Sequence, residues 1–201
     1  MRPAKSLAQA WIALNTDDPA AVSALATARE RLEAGAALAG LTRWRLVELR
    51  GALPPLDALQ DTLHRSTQFY NPYKERAVLR TGPSERAPCG GAVAVLVTER
   101  GGGRRRAAER WWKHETGRAV EVREGVVWAL TFDRGLEPDG DRARLARAKS
   151  LAVLSDRAHG LFCNPHAQDW AAAIDPPLPW MFAPPRRPRR SAHPTPGGQP
   201  A

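Results

Sequence analysis

The chain has 201 residues, of which 43% are hydrophobic, and its 30 basic and 21 acidic residues give a net charge of +9. This length allows one domain of ordinary size or two small ones. No apolar run approaches the roughly 18 residues that suggest a membrane span, and the apolar stretch after Arg2 and Lys5 breaks at Asn15, too early for a signal peptide. We therefore expect a cytoplasmic protein without a membrane span.

The first half of the chain predicts the element order β-α-β-α-β. Residues 7–14 fit a strand or a helix start, while Asp18-Pro19 combines a good N-cap with the residue that suits the first helical position. The remaining elements follow from periodicity and from Gly and Pro boundaries: a helix over 20–33, a strand over 41–50, a helix over 56–69 and a strand over 75–81.

The pattern then restarts after a Gly- and Pro-rich linker at 82–91. Its elements are a buried strand over 92–98, a helix over 104–114 ended by Gly117, a long strand or bent hairpin over 119–132, a helix over 142–162 capped by Asp141, and a last strand or packed turn over 170–174. Residues 175–201 are rich in Pro, Gly and Arg, so we predict a disordered tail.

One short pattern occurs twice. Phe69-Tyr70-Asn71-Pro72 precedes Glu75, and Phe162-Cys163-Asn164-Pro165 precedes Gln168, 93 positions later. Pro cannot continue a helix, and the residue before it is pushed out of the helical region, so the pattern predicts a helix stop used twice. With the repeated element order, it predicts a tandem duplication with units at 5–81 and 92–174. Chance resemblance of two α/β stretches is the alternative.

The residues that could carry chemistry favour no active site. Residues 101–106 (GGGRRR) follow a strand and open a helix, as a phosphate-binding loop does, but they match neither nucleotide-binding motif, and a flexible loop explains them better. Cys163 lies near His159 and His166 in sequence, yet its position suits a core thiol. Neither cysteine belongs to a CxxC pair and the histidines lack ligand spacing, so we predict no catalytic residue, no metal site and no cofactor.

These motifs resemble the PurS-type small subunit of formylglycinamide ribonucleotide amidotransferase (phosphoribosylformylglycinamidine synthase). In that family a long strand reads V-x-x-V-R-x-G-K-x-x-E-L, and residues 120–130 read VEVREGVVWAL. The family's ending, close to L-L-x-N-P-x-x-E-x-Y, is similar to residues 161–170, and more weakly to 68–75. The second half departs from the family where Val126 replaces a Lys, Ala129 replaces a Glu, and Gly101-Gly102-Gly103 replaces the D-P pair before the first helix.

The resemblance implies an α+β fold of two tandem PurS-like (ferredoxin-like) β-α-β-α-β units that form a pseudo-dimer. It implies a non-catalytic subunit that bridges the ATP-dependent synthetase and the glutaminase of the complex in purine biosynthesis. It also implies six interface positions: Asn71, Pro72, Arg123, Gly125, Asn164 and Pro165.

The alternative function is a basic ferredoxin-like protein that binds RNA or another nucleic acid, as the net charge and the Arg104–Arg106 run suggest. However, four of the positive charges lie in the predicted tail, at Arg186, Arg187, Arg189 and Arg190.

Overall fold

The computed structural model describes residues 6–182, and within them it is a mixed α+β structure in which one antiparallel sheet carries four α-helices. The α+β class predicted from the sequence is confirmed. The elements are β1 (Ser6–Leu14), α1 (Pro19–Arg31), a 3-10 turn (Gly35–Ala37), β2 (Leu38–Gly51), α2 (Leu56–His64), β3 (Glu75–Arg80), β4 (Val93–Glu99), α3 (Arg106–Thr116), β5 (Val120–Phe132), α4 (Gly140–Ala152) and β6 (Gln168–Ala173).

The six strands lie in the order β3-β1-β2-β5-β4-β6, and each neighbouring pair is antiparallel. The two longest strands, β2 and β5, form the centre of the sheet, where Arg45 pairs with Val126. The two short strands, β3 and β6, form its edges. The order therefore reads the same from either edge when β1, β2 and β3 are matched with β4, β5 and β6.

All four helices cover one face of the sheet. They form two pairs, and each pair has its own apolar core against the sheet. Alternate residues of β5 supply both cores, since Val122 belongs to one and Leu130 to the other, and alternate side chains of a strand share a face. In the first pair, α2 and α3 contribute Leu63 and Trp112 to one core, and in the second pair, α1 and α4 contribute Ala28 and Leu151 to the other. Each pair thus combines one helix from each side of the 82–91 linker.

The opposite face of the sheet carries a third apolar core without a helix. It contains Trp11, Trp44 and Val127 from the strands, and it is covered by Cys89 of the linker and by Trp180 of the C-terminal segment. This arrangement corrects the prediction of a disordered tail from residue 175. Residues 175–182 have a defined place on the sheet because their apolar side chains and backbone groups find buried partners there. The rest of the predicted tail, 183–201, lies outside the described residues.

The predicted helix stops at Asn71-Pro72 and Asn164-Pro165 are wrong. Helix α2 ends at His64 and α4 ends at Ala152, well before either pair. After α4 the chain reverses, and the Leu154 N–H donates to the carbonyl of Cys163 (2.9 Å), a contact that periodicity along the helix cannot show. The Asn-Pro pairs instead lie directly before the edge strands β3 and β6.

Other elements settle alternatives that the sequence left open. Residues 6–14 form a strand, and β5 runs through Gly125 as one continuous strand. The N-cap of α4 is Asp139, with Gly140 as the first helical residue, so the predicted cap at Asp141 was two positions late. Among the described residues no helix combines the length and apolar character needed to cross a membrane.

Candidate interface site

The two Asn-Pro turns have the same hydrogen bonds. The Asn71 side chain accepts from the Tyr73 N–H at 3.1 Å, and the Glu75 carboxylate accepts from the Asn71 N–H at 2.7 Å. In the second turn the Asn164 side chain accepts from the His166 N–H, and the Gln168 side chain accepts from the Asn164 N–H, each at 3.0 Å. Such Asx turns arise because a short side chain can replace a backbone acceptor.

These local bonds explain why both patterns need Asn and a Glu or Gln four positions later. The carboxylate or amide closes the turn by accepting from the Asn backbone. Pro72 and Pro165 follow the Asn, where a residue with fixed φ favours the turn. The first turn leads directly into β3 and the second into β6, which are the strands at opposite edges of the sheet. Tyr73, at the first turn, is 93% exposed.

Arg123 and Gly125 lie together on β5, two residues apart, on the face opposite the helices. Arg123 donates to Glu121 at 3.0 and 3.1 Å and to the Met181 carbonyl at 2.8 Å, and its guanidinium lies 4.7 Å from the Phe182 ring centre. Burial by itself would raise the pKa of Glu121, but hydrogen bonds from Arg50 and Arg123 outweigh it and lower that pKa. Arg123 is therefore engaged within the protein.

Gly125 has no room for a side chain. A Cβ there would lie 2.8 Å from Leu96 Cδ1, 2.8 Å from Thr98 Cγ2 and 2.9 Å from the Val97 carbonyl oxygen. The glycine allows β4 to approach β5 closely at this point. The structure thus brings Arg123 and Gly125 together, but it does not join them to the Asn-Pro turns in one site.

A charged cluster that was not predicted from the sequence lies on the helix-covered face at the centre of the sheet. Arg45 contacts Glu75 at 3.2 Å and Glu124 at 3.4 Å, and Glu124 also accepts from Arg105 at 2.5 Å. The side chains of Arg45 and both glutamates are 21–27% exposed, so water screens these pairs only in part. The signal for this cluster in the sequence was the position of Arg45 within a strand that is otherwise rich in core residues.

The loop 101–106 packs against β5. An open cleft of about 490 Å³ lies beside the loop, and three of the arginines that line the cleft have partners within the protein: Arg100 donates to the Pro165 carbonyl, Arg104 to Glu109 and Arg105 to Glu124. Gly103 adopts a φ of +65°, and a Cβ there would overlap the Glu124 carbonyl oxygen at 2.0 Å. Gly103 thus allows the close approach of the loop to β5.

A buried polar network under the C-terminal segment was also missed. Glu48 is fully buried, and its carboxylate accepts from Gln9 and from the backbone N–H groups of Trp180, Met181 and Phe182 at 2.5–3.1 Å. Burial raises the pKa of the Glu48 carboxyl above its ordinary value, although those four donors lower it in part. The sequence signal was Glu48 at an inward-facing position of β2, but three of its four partners lie more than 130 residues away.

Both thiols are buried. Cys163 is 2% exposed within an apolar core, and burial raises its pKa. Burial likewise raises the pKa of Cys89 to about 12. His159 bonds to Asp156 at 2.9 Å, and within residues 6–182 no group of three His, Cys, Asp or Glu residues is arranged to hold a metal ion.

Comparison of the chain with family models, with curated proteins and with solved structures yields no match in any of the three.

Proposed function

We propose that the chain is a tandem pair of PurS-like units and acts as a non-catalytic subunit that bridges the synthetase and glutaminase components of a phosphoribosylformylglycinamidine synthase. The observation that carries the proposal is the twofold-like agreement between the two halves of the sheet. The agreement reaches the level of individual residue pairs.

The pairing of the inner strands supports this proposal. Ile12 of β1 pairs with Arg45 of β2, and Val97 of β4 pairs with Val126 of β5. Arg45 and Val126 also pair with each other across the centre of the sheet. A pseudo-twofold axis that passes through the Arg45–Val126 pair would exchange β1-β2 with β4-β5 and match all five pairings of β4-β5 with pairings of β1-β2.

The edge strands give an independent check. Leu14 pairs with Glu75, and Glu99 pairs with Gln168. The spacing between β1 and β4 is constant, because Leu14 lies 85 positions before Glu99 and Ile12 lies 85 positions before Val97. The spacing between β3 and β6 is 93 positions, from Glu75 to Gln168, and it equals the separation of the two Asn-Pro pairs. The strand registers and the sequence motif therefore support the same equivalence between halves.

The pairing of the helices favours a fused dimer over two separate domains. Because α1 shares a core with α4, and α2 shares a core with α3, each unit completes a core with a helix from the other unit. Such an arrangement suits a rigid double unit that presents two equivalent turns to its surroundings. A bridging subunit needs two such contact regions and no reactive group.

The test is reconstitution with the two candidate partners from the same organism. The tagged full-length chain is mixed with the synthetase and the glutaminase, with glutamine and nucleotide present, and the mixture is separated by size-exclusion chromatography. We expect one complex that contains all three proteins. Elution of the chain apart from both partners under these conditions would overturn the proposal.

Tyr73→Ala provides a sharper variant, because Tyr73 lies at an Asn-Pro turn and its 93% exposure means that its removal leaves the fold intact. Tyrosine is common among residues that dominate interface energy. We expect roughly tenfold weaker binding to a partner, within the range for such residues. Val22→Ala is the matched control, since it removes another exposed apolar side chain (58% exposed) on α1.

The nucleic-acid function has less support as the alternative. A ferredoxin-like protein of this kind commonly presents the helix-free face of its sheet to RNA, and here residues 87–92 and 175–182 cover part of that face. A salt-dependent RNA mobility shift that survives removal of residues 184–201 would favour this alternative over the bridging function.

A further inference from the structure

The C-terminal segment, residues 175–182, lies in a groove on the helix-free face of the sheet. Its backbone groups pair with side chains of the sheet rather than with the sheet's own backbone. The floor of the groove consists of three buried polar residues, Gln9, Glu48 and Arg80, and of the indole rings of Trp11 and Trp44. We call this surface the C-terminal groove.

The polar floor contacts the segment at both of its ends. Near the start, Arg80 donates to the Pro176 carbonyl and Gln9 donates to the Pro177 carbonyl, each at 2.9 Å. Near the end, the Glu48 carboxylate accepts three consecutive backbone N–H groups, those of residues 180–182. The Met181 carbonyl also accepts from Arg123 at 2.8 Å, so side chains of the sheet bind backbone groups of the segment near both of its ends.

The floor is held in place by bonds within the sheet. Gln9 donates to Glu48 at 2.6 Å and accepts from Arg80 at 2.9 Å and from the Trp11 indole N–H at 3.1 Å. None of these bonds involves the segment, so the proposal requires that they hold the groove in shape when the segment is absent. A preorganised site of this kind binds with a smaller entropic cost.

Apolar contacts select the side chains of the segment. The Trp180 ring stacks on Trp11 with ring centres 6.3 Å apart and an interplanar angle of 28°, and Met181 joins the same core. The Phe182 ring lies beneath two guanidinium groups, 4.3 Å from Arg50 and 4.7 Å from Arg123. The three Pro residues at 176, 177 and 179 restrict the backbone of the free peptide, so it loses less conformational entropy on binding.

We propose that the C-terminal groove is a peptide-binding site for Pro-rich segments that end in Trp-Met-Phe, and that the chain's own residues 175–182 occupy it as a separable ligand. The segment caps the apolar face of the sheet when bound. Its release opens the groove to a free peptide of the same kind. This inference does not depend on the proposed function in purine synthesis.

The experiment starts from the full chain, so that folding occurs with the segment in place. A protease site is inserted between Ile174 and Asp175, the purified protein is cut, and a fluorescein-labelled synthetic peptide of residues 175–182 is added in excess. We expect saturable binding by fluorescence anisotropy, release of the chain's own fragment in proportion, and unchanged circular dichroism.

Peptide variants provide the controls. The Trp180→Ala peptide should bind about 10- to 100-fold more weakly, as expected for loss of a buried aromatic anchor. The Leu178→Ala peptide should bind within about threefold of the parent, because Leu178 belongs to none of the three apolar cores.

Three results would overturn the proposal. The first is a cut protein that never exchanges its fragment for the labelled peptide, even at denaturant concentrations just below the unfolding transition. The second is equal binding of the parent and Trp180→Ala peptides. The third is loss of folded structure, or stable pairing of two emptied chains that excludes the peptide, once the fragment leaves.

Discussion

Gly125 offers a direct test of whether a motif position serves packing or partner binding. Gly125→Ala places a Cβ 2.8–2.9 Å from Leu96, Thr98 and the Val97 carbonyl oxygen, and the last of these is backbone that cannot rotate away. Gly40→Ala on the partner strand β2 is the matched control, because its nearest neighbour would be Thr131 Cβ at 3.8 Å. Neither glycine has a positive φ, so the two changes differ in space and not in backbone strain.

The magnitude follows from two opposing effects. Overpacking in a closely packed region costs roughly 1–3 kcal/mol. Replacement of Gly by Ala also restricts the unfolded chain, which stabilises the folded state by about 0.4–1 kcal/mol. For Gly125→Ala the net change is a loss of up to about 2.6 kcal/mol, whereas Gly40→Ala should gain about 0.4–1 kcal/mol, since only the second effect operates there. The two variants should therefore differ by about 1–3 kcal/mol.

The assay is urea unfolding at 25 °C followed by tryptophan fluorescence, with a thermal melt for comparison. For a chain of this size the expected difference places the midpoint temperature of Gly125→Ala roughly 2–12 °C below that of Gly40→Ala. If the two variants are equally stable, the close approach of β4 and β5 is not what requires glycine, and a contact with a partner becomes the better explanation of the motif.

Further predictions concern the turns, the thiols and one histidine. Asn71→Ala and Asn164→Ala should each lower the unfolding free energy by about 0.5–1.5 kcal/mol, since each removes one side-chain acceptor, and unequal losses beyond about 1 kcal/mol would contradict the equivalence of the turns. Cys89, whose pKa burial raises to about 12, should not react with a thiol reagent at pH 8 until urea unfolds the chain, and rapid labelling of the folded protein would refute this. Hydrogen bonding and charge from Asp156 raise the pKa of His159, so the contribution of this pair to stability is complete below the unfolded pKa and disappears as pH rises through the folded one. Asp156→Asn should lower the NMR-measured pKa of His159, and an unchanged value would show that the pair does not form.

Local features of the sequence were enough to place most of the elements. Asp18 caps α1 with a bond to the Ala20 N–H (2.9 Å), and Gly117 ends α3 in the left-handed conformation, as residue type alone predicts. The apolar run of β4 is buried on both faces. The repeated Asn-Pro pattern was visible as well, because the bonds that form each turn lie within five consecutive residues.

Contacts distant along the chain decided the rest. Helices α2 and α4 end earlier than their apolar pattern suggests, because packing of the following residues competes with continuation of the helix. The pairing of β2 with β5 brings Arg45 to Glu124, and the C-terminal segment supplies Glu48 with donors more than 130 residues away. A buried carboxylate needs partners that no local pattern identifies, so the sequence alone predicted the strand that carries Glu48, and only the tertiary structure showed what that residue holds.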